Sequence, residues 1–292
     1  MSFLEEFHEV LKRDEPLAPY TWMKLGGPAQ YFLEPRSVPE LVAIVKACAA
    51  QKVAIRVLGG GSNLLVREEG VSGAVIKLTH EAFQTVSIDG NKLTTGGGAL
   101  LSNAISQAVK AGLAGFENLA GIPGTIGGAL RGNAGGRNGD IGQYVQSVKV
   151  LTVDGEILDR SDDELSFGYR QSNLTELVIL EATFQLAADN PDEIIRRLRK
   201  TWIMKKSSQP LAAQSAGCIF KNPRGLSAGS LIDQASLKGT RVGGAEISDR
   251  HANFVVSDGK ATSSDVLRLM DLVRSKVSEQ FAVDLEPEIQ IW

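Results

Sequence analysis

The sequence predicts an α+β fold, because it mixes hairpins with amphipathic helices instead of building a doubly wound parallel sheet. Two Asp-Gly pairs, at 89–90 and 154–155, each sit between alternating apolar segments, the signal of a hairpin (residues 84–98 and 148–161). Apolar residues at helical spacing, with start signals before them, mark residues 37–51, 100–113, 190–206 and 263–281. Composition shifts after Asp189, from strand-rich sequence to a charged helix.

Taken in order, the segment 37–51 has a Ser cap and an early Pro. A short buried strand follows and runs into "LGGGSN" at 58–63. "GAVIKL" (73–78) reads as a strand, the hairpin 84–98 comes next, and the helix 100–113 ends at Gly112. A second glycine patch, "GIPGTIGGALRGNAGGRNGDIG" (121–142), precedes the second hairpin, and a long strand spans 177–187. Beyond a small-residue loop lie a short helix in "AGSLIDQASL", a strand in "HANFVVSDG", the helix 263–281 and a closing strand in "LEPEIQIW".

The totals narrow the function. With 292 residues the chain can build two or three cores, and 43% hydrophobic with 22% charged residues is ordinary globular composition. A net charge of −3 offers no broad basic field for nucleic acid or anionic membrane. The cluster "RRLRK" (196–200) reads as a solvated helix face. No run of apolar residues is long enough for a membrane span, and the acidic, amphipathic start is unlike a signal peptide. Cys48 and Cys218 are expected as thiols, and three scattered histidines offer no zinc spacing, so no metal is expected.

Two features point to a ligand. "LGGGSN" follows a strand, and three successive glycines let several backbone N–H groups face one anion, with Ser62 and Asn63 adding side-chain donors. It matches neither G-x-G-x-x-G nor a P-loop; the alternative is a cluster of tight turns. "GIPGTIGGALRGNAG" is too rich in glycine for a stable helix and too apolar for a solvent linker. A polyphosphate cofactor between the two loops would satisfy their backbone donors.

"TWMKLGGPAQYFLEP", "LGGGSNLLV", "GIPGTIGGALRGNAGG", "FGYRQS", "AGCIFKNP", "GGAEISDRHANFVV" and "LEPEIQIW" follow one another from residue 21 to the C-terminus. In this order they resemble the UDP-N-acetylenolpyruvoylglucosamine reductase (MurB) family. With no insertion between "FGYRQS" and "AGCIFKNP", the chain is similar to the shorter, type II form, which lacks a tyrosine-bearing substrate loop. The resemblance implies a two-part FAD-binding domain of the PCMH/vanillyl-alcohol-oxidase type, expected at 1–79 and 80–189. A smaller α+β substrate-binding domain is expected at 190–292, with its C-terminal strand returning to the active site. It also implies NADPH as co-substrate, non-covalent FAD, and reduction of UDP-N-acetylglucosamine enolpyruvate to UDP-N-acetylmuramate in cytoplasmic peptidoglycan precursor synthesis. A small UDP-sugar is the expected partner, with no nucleic acid, membrane insertion or obligatory protein partner.

The same resemblance assigns the residues. For the cofactor it implies Gly59, Gly60, Gly61, Ser62 and Asn63, with Gly121, Ile122, Pro123, Gly124, Thr125, Gly127, Gly128, Asn133 and Ala134. Arg170, beside Tyr169, should meet the substrate carboxylate with a planar cation. Glu288 matches the catalytic glutamate that polarises the enol system, and Asn222 a substrate contact. Cys218 stands where the family more often has serine, the proton donor. A thiol with an ordinary pKa of about 8.5 is protonated at neutral pH yet far more acidic than an alcohol, so the role survives. Lys221 is a weaker candidate, a lysine expected before "QP" is replaced by Ser208 with Lys205 or Lys206 nearby, and His251 reads as a core residue. Two other readings compete: a sugar or alcohol oxidase on the same scaffold, and a flavin- or nucleotide-binding module whose Cys218 senses oxidants.

Overall fold

The computed structural model describes residues 6–136 and 138–292; the first five residues of the acidic start, and Arg137 of the second glycine patch, lie outside them. Contacts divide the chain into two compact units. The first takes the residues before Glu15, Gln30–Gly60 and Ser72–Met204; the second takes Glu15–Ala29, Gly61–Val71 and Lys205–Trp292.

The first unit holds two hydrophobic cores. Ser37 accepts the Glu40 N–H and starts the helix Val38–Ala50, which buries Leu41, Ile44, Val45 and Cys48 at helical spacing. These pack with Leu33, Ala74 and Ile76 of a four-stranded sheet, ordered Leu11–Pro16, Pro28–Leu33, Val71–Lys77, Ile55–Leu58. Burial pushes the Cys48 thiol up to about 11, so it stays a protonated packing group.

The second core lies under an antiparallel sheet ordered Ile157–Ser161, Val145–Leu151, Val178–Gln185, Lys92–Gly96, Val86–Asp89. Both Asp-Gly pairs turn the chain as read from sequence. The helices Leu101–Lys110 and Ile126–Arg131 contribute Leu101, Ala104, Ile105, Ile126 and Leu130 to this core.

The second unit carries a sheet ordered Gln214–Cys218, Phe254–Ser257, Ala245–Ile247, Arg241–Val242. The helix Ser263–Phe281 starts at a capping box of Thr262 and Asp265 and buries Val266, Leu269, Met270, Val273 and Val277. Met23, Leu25 and Leu65 complete the core, and Gln290–Ile291 pairs in parallel with Leu64–Leu65.

The fold is α+β, and it departs from expectation in two places. The second glycine patch does contain a helix, Ile126–Arg131. Thr125 caps it, and the Gly127 N–H donates 2.8 Å to the Gly97 carbonyl, so close packing on the sheet outweighs the poor propensity of glycine. The strands Leu11–Pro16 and Pro28–Leu33 carried no clear alternation of apolar residues, because the first is almost wholly solvent-facing. The compact units divide at Met204/Lys205, inside the helix Pro191–Ser208, and residues 15–29 and 61–71 belong with the C-terminal unit.

Candidate active site

The strand Gln214–Cys218 follows its neighbour Phe254–Ser257 only partway. The register shifts between Ser215 and Cys218, with Gly217 at φ +77°. A bulge at this point re-aims the next side chain, which is Cys218. Past the bulge the chain is held on both edges. On one, the Ile219 N–H donates 2.9 Å to the Asn253 carbonyl. On the other, the Glu288 N–H donates 2.7 Å to the Ile219 carbonyl and the Lys221 N–H donates 2.9 Å to that of Glu286. Ile219 and Phe220 are buried in the core of the unit. Cys218 and Glu288, far apart in sequence, are therefore neighbours on adjacent extended segments.

Lys221 pairs with the Glu286 carboxylate at 2.5 Å, and the Asn222 Oδ1 accepts the Ala228 N–H at 3.0 Å, starting the helix Ala228–Gln234. His251 is half-buried; burial holds its imidazole below the usual value, and its Nδ1 accepts the Asn253 N–H.

Arg170 belongs to the first unit. It sits with Tyr169 in the two-residue turn between Phe167–Gly168 and Gln171–Ser172, at φ +58°, a conformation costly for a side-chain-bearing residue. Its guanidinium donates 3.0 Å to the Gly135 carbonyl and lies 5.5 Å above the exposed Tyr169 ring. Asn133, buried, ties this turn to the second glycine loop: its amide donates to the Gly168 carbonyl and accepts the Gly142 N–H. Its side chain serves the loop's own geometry.

The two glycine loops meet within the first unit. A Cβ on Gly60 would stand 2.6 Å from the Gly124 Cα, and one on Gly59 would stand 2.9 Å from the Thr125 Oγ1. Side chains here would force the loops apart, so the backbone of both is bared along one contact. Gly121, Ile122 and Pro123 lead into it, with Ile122 and Ala134 packed on the second core. Thr125 Oγ1 accepts the Gly128 N–H. Lys77, which the sequence reading passed over, donates 3.0 Å from Nζ to the Gly59 carbonyl and anchors the first loop; burial holds its ammonium below the usual value. Bared backbone, a hydroxyl and an anchoring cation suit a polyphosphate. Gly61, Ser62 and Asn63 fall in the second unit. Gly61 is fixed by the close approach of the Tyr20 carbonyl, and the Asn63 amide donates 3.1 Å to the Glu288 carbonyl.

Two families match. One described as "FAD binding domain" covers residues 29–161, and one described as "UDP-N-acetylenolpyruvoylglucosamine reductase, C-terminal domain" covers 209–292. A UDP-N-acetylenolpyruvoylglucosamine reductase 2 of Symbiobacterium thermophilum is 40% identical over 97% of this chain and 92% of its own. The chain belongs to the UDP-N-acetylenolpyruvoylglucosamine reductase family. A reductase of Lachnoclostridium phytofermentans is also 40% identical, over 95% of this chain and 91% of its own. The crystal structure of the Thermus caldophilus reductase superposes with a TM-score of 0.83 at 39% identity, covering 97% of this chain and 98% of that one. Phl p 4, a grass pollen allergen with glucose dehydrogenase activity, shares the fold alone, with a TM-score of 0.52 at 18% identity over 65% of this chain and 45% of that one. Of the three readings open from sequence, membership of this family selects the reductase, an FAD enzyme that uses NADPH. Among the described residues no helix is long and apolar enough to cross a membrane, and no group of His, Cys, Asp and Glu is gathered as metal ligands would be.

Proposed function

We propose that Cys218, Glu288 and Arg170 assist the reduction of the enolpyruvyl ether of UDP-N-acetylglucosamine, with Tyr169 and Asn222 as further substrate contacts. When bound, FAD carries the hydride delivered by NADPH to the enolpyruvyl group. The touching loops, with Gly59, Gly60, Gly124 and Thr125 at their contact and Gly121 leading into it, would hold it, anchored through Lys77; Ser62 and Asn63 extend the same reading.

Arg170 supplies a planar cation for the substrate carboxylate, into which negative charge is delocalised once the methylene carbon is reduced. Cys218 gives its proton to the carbon bearing the ether oxygen, and the thiolate regains one from water. Glu288 polarises the enol system from beside it. The observation that supports this reading is the bond from the Glu288 N–H to the Ile219 carbonyl, which sets the glutamate next to the residue following the thiol. Reaction in the cytoplasm on a soluble UDP-sugar, by the C-terminal unit as substrate-binding part, belongs to the same proposal.

The test is anaerobic. The flavin of the purified protein is reduced with NADPH, and UDP-N-acetylglucosamine enolpyruvate is then added. Prompt reoxidation is the expected result; a flavin that stays reduced until air enters would overturn the reading.

A further inference from the structure

We infer that Asn253 is a positioning residue for the thiol, acting through the backbone of Ile219 and Phe220; the inference rests on the assignment of Cys218 as proton donor. Backbone pairing between Gln214–Cys218 and Phe254–Ser257 ends at Cys218 and Phe254, because the neighbouring chain turns away there, the Phe254 N–H donating to the His251 carbonyl. Beyond it the Ile219 N–H still reaches the Asn253 backbone carbonyl, but the N–H and carbonyl of buried Phe220 would be left unsatisfied.

Asn253 takes over at that point. Its Oδ1 accepts the Phe220 N–H at 3.0 Å and its Nδ2 donates 2.8 Å to the Phe220 carbonyl, while its own carbonyl accepts the Ile219 N–H. The side-chain amide thus stands in for a missing peptide of the adjacent strand and carries the pairing two residues past the bulge. It is 3% exposed, and its own N–H is taken by the His251 Nδ1 at 3.2 Å. From the other edge the Glu288 N–H meets the Ile219 carbonyl. The segment that follows Cys218 is therefore clamped between Asn253 and the glutamate strand. A proton donor has to be held to a fraction of an ångström, and at neutral pH a carboxamide offers a donor and an acceptor side by side without charge. Aspartate has the same shape but, ionised, would turn a lone pair toward the Phe220 carbonyl.

The test uses the holoenzyme with Asn253→Asp, Asn253→Ala and Cys218→Ala, and times the two half-reactions separately. Flavin reduction by NADPH is expected within about twofold of wild type for both Asn253 variants, while reoxidation by the enolpyruvyl substrate slows at least about tenfold, as for a misplaced catalytic group. The loss falls on kcat and leaves KM for the sugar nearly unchanged. Relative to wild type at each pH, Asn253→Asp regains rate as the pH is lowered, because a protonated carboxyl again donates to the Phe220 carbonyl; Asn253→Ala does not. In protein stripped of flavin, the Phe220 amide exchanges hydrogen faster in Asn253→Ala. Where the alanine variant fails to fold, the isosteric aspartate carries the test alone. Equal loss in both half-reactions, an unchanged reoxidation rate, or an aspartate variant without recovery at low pH each overturns the inference. A Cys218→Ala protein that reoxidises normally overturns the thiol assignment and the inference with it, whereas loss in Cys218→Ala alone overturns only the role of Asn253.

Discussion

The Glu288 N–H donates a 2.7 Å hydrogen bond to the Ile219 carbonyl, and this one contact makes neighbours of a glutamate near the C-terminus and the residue after Cys218. The Asn63 amide holds the Glu288 carbonyl at 3.1 Å, and the Asn63 carbonyl accepts the Gln290 N–H at 3.0 Å. The Glu288 backbone is thereby fixed on both its N–H and its carbonyl, whatever its side chain does.

Replacing Cys218 with alanine is expected to leave flavin reduction by NADPH nearly intact and to lower turnover of the enolpyruvyl substrate by at least about a hundredfold, the typical contribution of a positioned acid. Cys218→Ser keeps measurable turnover and becomes indifferent to thiol alkylation. Stopped-flow traces of the two half-reactions check both, and equal losses would remove the proton-donor role.

Gly60→Ala is expected to purify largely without flavin. The added methyl meets the Gly124 backbone at 2.6 Å, which no side-chain motion relieves. Overpacking of this kind costs about 1–3 kcal/mol, or roughly five- to 150-fold in FAD affinity. Gly136→Ala, whose Cβ would meet nothing within 4 Å, serves as the control. The ratio of flavin absorbance to protein absorbance reads the result.

Lys77→Met keeps the buried stem and deletes the donor to the Gly59 carbonyl. An expected loss of about 1.5 kcal/mol for a charged hydrogen bond corresponds to about tenfold weaker FAD binding, with the fold intact. Titration of the flavin-free protein with FAD measures it; unchanged affinity would mean that the first loop holds its shape without the anchor.

His251 predicts a pH dependence of stability. Burial is the main cause that lowers its folded-state pKa, with Lys238 adding to it, so between the ordinary value of about 6.5 and the lowered one the unfolded chain binds a proton that the folded chain refuses. Its contribution is complete above about pH 6.5 and is lost as the pH falls toward the folded value, by at most about 1.4 kcal/mol per unit. Urea midpoints from about pH 5 to about pH 8 should fall on the acid side for wild type and flatten in His251→Gln.

The long, regular elements were legible in the sequence because local signals agreed. Thr262 and Asp265 frame the helix Ser263–Phe281, and Ser37 opens Val38–Ala50 as its position suggests. The helix Ile126–Arg131 was not legible, since its stability comes from glycines packed on Gly97, a contact far away in sequence. The site divides in the same way. Cys218, Glu288 and Arg170 stood out through the motifs around them, but Lys77 and Asn253 carry no local signal. Lys77 ends an ordinary strand, and Asn253 was overshadowed by His251 in "HANF" although its side chain is the one that grips Phe220. Asn133 reads as a cofactor ligand in its motif, yet both ends of its amide are engaged by Gly168 and Gly142.

The second unit is assembled from three stretches of chain, and this dictates an order of events during synthesis. Met23, Leu25 and Leu65 leave the ribosome long before Val266, Leu269 and Ile289, the residues they will be buried with, have been made. Until then these apolar side chains wait on loops between strands of the other unit, and the core can close only when the last strand arrives beside Leu64. The same threading means that a fragment cut at Lys205 would carry Cys218 and Glu288 but lack part of the interior of their unit, so that unit cannot be excised as an autonomous piece.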